Sequence, residues 1–169
     1  MKYNYLYSIR DKRYLFDVQQ LIKTLLMNID RVCYVSLNKS AERLREYIDE
    51  SGINKEKIVI IDMISTRFKK PENKEGVYYF NVSDEEKTTK FITNIMDKEK
   101  SEALIIDSLS TMSVYYDKKN LSKFAHDIIV YSDTNKIINN FIIQVKDEEK
   151  EWVDKIAPLV GGISRVNVK

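Results

Sequence analysis

A chain of 169 residues with 43% hydrophobic side chains has the length of one domain and can bury a sizeable core, removing roughly two-thirds of the surface exposed when unfolded. Its 28 Lys and Arg against 26 Asp and Glu leave a net charge of +2, and its pI of 8.4 falls short of the usual footprint of a nucleic-acid-binding domain. Four glycines and two prolines leave little room for long flexible linkers, so one domain over residues 1–169 is expected.

Strand-length apolar runs alternate with helix-period segments almost from end to end. Tyr3 to Ile9 is aromatic and β-branched and reads as a strand. The N-terminal stretch has no apolar core of a signal peptide, and no segment reaches the ~18 apolar residues of a membrane span, so a cytoplasmic protein without membrane contact is expected. Leu15, Val18, Leu21, Ile22, Leu25 and Leu26 recur at helical spacing and predict an amphipathic helix from about Tyr14 to Asn28. Val32 to Leu37 is a second strand. It contains Cys33, the only cysteine, which forms no intramolecular disulfide and reads as a small buried hydrophobe.

Ser40 has the chemistry to cap a helix with Leu44, Tyr47 and Ile48 on its buried stripe, and Gly52 stands where a left-handed C-cap is needed. Lys57 to Asp62 is apolar on successive positions, which suits a parallel strand covered on both faces. A charged loop from Thr66 to Gly76 precedes a short strand, Val77 to Val82. Ser83, Asp84 and Glu86 start a helix that buries Phe91, Ile92, Ile95 and Met96. Then come the strand Ala103 to Asp107, a helix from about Asn120 to Tyr131, the strand Phe141 to Val145, a short helix Glu149 to Ile156, and a closing strand Ile163 to Val168. This order predicts an α/β fold: a mostly parallel β-sheet sandwiched by helices, with no internal repeat.

In such sheets ligands gather beyond the carboxyl ends of the strands. Three features fall there: Arg10, Asp11, Lys12 and Arg13 after the first strand, Asp62 after the third, and Asp107 with Ser108 after Ala103–Ile106. Strand-terminal carboxylates hold Mg²⁺ or position a water in some sites, but a hydrophobic run ending in Asp is common in unrelated α/β proteins. The basic residues of the protein occur as short pairs beside acidic ones (Lys12-Arg13, Lys69-Lys70, Lys118-Lys119), which predicts a solvated surface of mixed sign rather than a nucleic-acid stripe. His126, the only histidine, lies on an amphipathic helix beside Asp127 and reads as a surface or partly buried side chain. Trp152 reads as an amphipathic anchor at a helix edge. Neither a zinc-ligand cluster nor a G-x-S-x-G elbow occurs.

The stretch Ala103 to Thr111, ALIIDSLST, resembles the Walker B strand of the RecA/KaiC/RadA-like ATPases, especially the archaeal KaiC-like group. Met112 to Tyr116 and Leu121 to Asp127 fit the Tyr-bearing segment and helix that follow there. Cys33 to Ser40 is similar to the second strand and helix start of that group, Gly52-Ile53 with Ile60 to Asp62 to the next strand, and Ile156 to Gly162 to the stretch before its terminal strands. The resemblance implies a RecA/KaiC-like three-layer, P-loop NTPase-like fold. It also implies docking on a protein partner, a related ATPase or another copy of the chain, because catalytic members assemble side by side.

The departure lies between the first strand and first helix, where the family carries G-x-x-x-x-G-K-[ST]. Glycines there let backbone N–H groups wrap the phosphates, while the Lys and hydroxyl serve phosphate and Mg²⁺. This chain reads Ser8-Ile9-Arg10-Asp11-Lys12-Arg13-Tyr14-Leu15-Phe16, with no glycine before Gly52. Side chains with a Cβ resist the positive-φ turns of such a nest. The expectation is a non-catalytic protein without a cofactor, ATP and Mg²⁺ included. Two alternatives stay open: a nucleotide- or small-anion-binding sensor using Arg10, Lys12, Arg13, Asp62, Asp107 and Ser108, and an enzyme of unrelated chemistry built on Asp11, Asp62 and Asp107.

Overall fold

The computed structural model describes residues 2–166. Its strands are β1 (Asn4–Ile9), β2 (Val32–Ser36), β3 (Ile58–Asp62), β4 (Val77–Tyr79), β5 (Ala103–Asp107), β6 (Ile138–Gln144) and β7 (Ile163–Ser164). They form one seven-stranded sheet in the order β4-β3-β2-β5-β6-β1-β7, and every neighbouring pair runs parallel. The α-helices are α1 (Tyr14–Leu26), α2 (Ala41–Glu50), α3 (Glu85–Glu99), α4 (Leu109–Met112), α5 (Lys118–Asn135) and α6 (Glu151–Ile156).

The two-residue period of the strands divides the core into two layers. Val32 and Tyr34 of β2, Ile58 and Ile60 of β3, and Ala103 and Ile105 of β5 pack against Val18, Leu21 and Ile22 of α1 and Leu44 and Ile48 of α2. The alternate positions Cys33, Val35, Val59, Ile61, Leu104 and Ile106 face α3, α5 and α6 through Ile92, Phe124, Ile128 and Val153. Every residue of β2, β3 and β5 is buried, which is why these strands read as continuous apolar runs rather than alternating ones. Cys33 is fully buried, and burial pushes its thiol pKa up, as suits a packing residue. Among the described residues no helix is long and apolar enough to cross a membrane.

Several element ends differ from expectation for local reasons. β6 starts at Ile138, before the apolar run, because Asn139 and Asn140 are buried. Asn139 donates to Asn4 Oδ1 (3.1 Å), and Asn140 donates to the Leu104 carbonyl (3.1 Å). β6 ends at Gln144, and Val145 opens a 3-10 turn that delays α6 until Glu151. α5 extends past the expected Asn120–Tyr131 at both ends, and Asp117 caps its start by accepting from Asn120 N (2.8 Å). The four-residue helix α4 carries no period long enough to be read in advance. β4 stops at Tyr79, and the closing strand is Ile163–Ser164; Asn167 and Val168, expected in that strand, lie outside the described residues.

Two helices end in lysine rather than glycine. Lys100 and Lys136 sit at φ 52° and 59°, with Ser101 N donating to Met96 O (3.0 Å) and Ile137 N to Ser132 O (2.9 Å). This is the Schellman geometry, in which the left-handed position favours a residue without a Cβ. Lys136 is exposed and makes no ion pair among the described residues. Lys136→Gly is therefore expected to raise stability by about 0.5–1 kcal/mol in urea unfolding; an unchanged or lowered midpoint would contradict this account of the helix end.

Candidate functional site

At the carboxyl edge of the sheet, register aligns three polar side chains. Ser36 of β2 pairs with Asp62 of β3 on one side and with Asp107 of β5 on the other. All three are fully buried, and the strand period puts them on the face covered by α1 and α2.

The two carboxyl groups are handled differently. Asp62 receives four donors: Ala41 N at 2.7 Å, Ile64 N at 2.8 Å, Ser65 N at 2.9 Å and Ser65 Oγ at 2.6 Å. It thereby holds the first turn of α2, together with Ser40, whose hydroxyl accepts from Arg43 N (3.3 Å), and it shapes the turn after β3. Beside it, Glu42, Lys69, Lys74 and Tyr79 help line a cavity of about 290 Å³.

Asp107 has fewer partners. Asn38 Nδ2 donates to its Oδ1 (2.8 Å), and the Tyr34 hydroxyl donates to its Oδ2. Burial outweighs these bonds and pushes its carboxyl up to about 8. Asn38 works as a clasp over this acid. Its amide also approaches Ser108 Oγ and Tyr14 Oη, each at 3.5 Å, and its carbonyl oxygen accepts from the Thr111 hydroxyl. Ser108 caps α4, with Thr111 N donating to its Oγ (3.1 Å), and the peptide between Asp107 and Ser108 is cis. Lys39 Nζ lies 4.7 Å from the centre of the Tyr14 ring; partial burial, and then Arg43, lower its pKa. The result is a closed polar network of Tyr34, Asn38, Asp107, Ser108 and Thr111, with Tyr14 at its rim.

Arg10, Lys12 and Arg13 stand apart from it. Arg10 to Arg13 alone connect β1 to α1, and Asp11–Arg13 form one 3-10 turn closed by Arg13 N donating to Arg10 O (3.0 Å). All three cations are exposed. Arg13 pairs with Asp17 (3.4 Å) and lies over the Phe16 ring. β6 separates β1 from β5, and among the described residues no hydrogen bond or ion pair joins these cations to Asp62 or Asp107. The six candidate residues thus form three separate groups: Arg10, Lys12 and Arg13; Asp62; and Asp107 with Ser108.

Tyr34, Asn38 and Thr111 are the network members that a scan for strand-terminal charges passes over. Tyr34 could have been found by counting two positions back along β2 from Ser36, on the face that carries Asp107. His126 lies on the exposed side of α5, 3.4 Å from Asp127. Trp152, expected at a helix edge, is instead buried in the core at 7% exposure. Among the described residues no group of three or more His, Cys, Asp or Glu is placed to hold a metal ion.

The raised pKa of Asp107 has a definite sign. Between the ordinary carboxylate value and about 8 the folded protein binds one proton more than the unfolded chain. Its contribution to stability is therefore complete below pH ~4 and is lost as pH rises through about 8. Urea unfolding from pH 5 to pH 8.5 should show wild-type stability declining relative to Asp107→Asn by on the order of a few kcal/mol. Parallel pH profiles for the two proteins would remove this assignment.

No protein family matches the sequence, and no curated protein matches it. Among solved structures it is similar to a KaiC-like protein, PH0186, of the hyperthermophilic archaeon Pyrococcus horikoshii OT3. The TM-score is 0.68 at 13% identity, over 96% of this chain and 69% of that one. At such identity the likeness is one of fold, and it agrees with the layers described above: the chain has a KaiC-like, three-layer α/β fold with an all-parallel sheet.

Proposed function

We propose that this chain is a non-catalytic KaiC/RecA-like module of the cytoplasm that lacks a phosphate-binding loop and acts through protein contacts. The observation that carries the reading is the β1–α1 connection. Four residues, none of them glycine, make a single tight turn and enter α1 at Tyr14. Phosphoryl transfer depends on positioned N–H groups, a lysine and a metal-binding hydroxyl around the phosphates, and so short a connection offers no wide cradle for them. The closed network over Asp107 points the same way, since both oxygens of that carboxyl are already engaged by protein donors.

Exposed apolar side chains at the same edge favour contacts with a protein. Phe68 and Val114 are 83% and 80% exposed, and Arg67 lies over the ring of Tyr115, 4.4 Å from its centre. Such clusters on a surface are commonly interaction sites. The partner is a related ATPase or a second copy of this chain. A second reading, an anion or nucleotide sensor without hydrolysis, draws support from Arg10 and Lys12, which are exposed and carry no ion pair among the described residues.

Purified protein with Mg-ATP is expected to release no phosphate above the blank, and sedimentation should show self-association or a complex with an added KaiC-like ATPase. Phosphate release that disappears in Asp107→Asn would overturn the non-catalytic reading, and a monomer under every condition would overturn the contact reading. Thermal unfolding with ATP, ADP, GTP and cyclic nucleotides, with and without Mg²⁺, separates the second reading. A ligand at 100 times its Kd adds ~2.7 kcal/mol of stability, so no shift with any of them eliminates the sensor.

A further inference from the structure

The carboxyl edge carries a second concavity, an open groove of about 980 Å³ between the start of α5 and the β6–α6 connection. Its floor is apolar: Tyr116, Leu121 and Trp152 are buried there, and Val114 stands exposed at the lip. Lys118 and Lys119 of α5 and Lys146 and Lys150 of the β6–α6 connection also line the groove. Lys118 is paired with Glu151, whereas the other three form no ion pair among the described residues. The lining also holds two acids, Asp117, whose carboxylate caps α5, and Asp147; they offset part of the lysine charge.

Like charges beside an apolar floor are complemented by a partner that brings distributed carboxylates and one apolar anchor. A compact polyphosphate fits less well, because the lysines come from two separate segments, the start of α5 and the β6–α6 connection, and the Asp117 carboxylate occupies the α5 N-terminus. We propose that this groove docks an acidic peptide segment bearing an aliphatic or aromatic anchor, which rests on the module reading above and names the face and the chemistry of its partner. The groove also touches the Asp107 network, because Thr111 lines it while its hydroxyl donates to Asn38.

The protein supplies its own reporter, since Trp152 is its one tryptophan and lies in the lining. The probe is a synthetic peptide of Glu and Asp residues around a central Leu-Phe pair, containing no Tyr or Trp. Titration should change Trp152 emission saturably and weaken as salt is raised. The triple variant Lys119→Glu, Lys146→Glu, Lys150→Glu alters side chains on the groove rim and should raise Kd at least about tenfold, with circular dichroism confirming that it folds. A peptide with Ser-Ser in place of Leu-Phe, a Lys-for-Glu peptide and a single-stranded oligonucleotide should each fail to bind. No emission change up to about 1 mM peptide, equal affinity in the triple variant, or tight oligonucleotide binding would each overturn the proposal. If the association seen by sedimentation survives in the triple variant, the groove assignment fails while the module reading stands; loss of association in wild-type protein itself defeats the module reading.

Discussion

Two carboxyl groups buried on either side of Ser36 at the end of a parallel sheet are the constraint around which this edge of the molecule is arranged. Taking a carboxylate out of water is expensive unless donors replace the solvent or the group takes up a proton. The protein uses both solutions within a single register row. Asp62 draws the α2 N-terminus and the turn after β3 onto itself through four donors. Asp107, with Tyr34 and Asn38 as its partners, is held by burial toward its neutral form at ordinary pH. The segments that reach these groups, the loop Leu37–Ser40 and the capped start of α4, have little freedom left, because moving either would strand a buried polar atom.

The layered fold was largely legible because burial on both faces imprints continuous apolar runs. Val32 to Val35, Ile58 to Ile61 and Ala103 to Ile106 could scarcely be anything but covered parallel strands. What escaped sequence reading was polar and local. Asn139 and Asn140 hid the start of β6, because an asparagine in a strand becomes acceptable only when tertiary partners such as Asn4 and Leu104 accept its donors. Lys100 and Lys136 hid two helix ends, because the turn chemistry leads one to look for glycine.

The candidate site was legible in parts and not as a whole. Asp62, Asp107 and Ser108 were each placed correctly at strand ends, yet spacing along the chain gave no sign that Asp62 spends its oxygens on backbone N–H groups while Asp107 meets a tyrosine from the neighbouring strand. Roles of that kind depend on cross-strand register, which a single sequence does not carry. The likeness to a KaiC-like structure settles architecture and leaves chemistry to the side chains.

The position of β6 also sets a separation. Neighbouring strands lie 4.7–4.9 Å apart, so β1 and β5 are two such steps, roughly 10 Å, apart across the sheet, and the register sets Arg10 further along the strand direction than Asp107 as well. Asp107 is fully buried with Tyr34 and Asn38 on its two oxygens, so a molecule held by the exposed Arg10 meets that carboxyl only if the network opens.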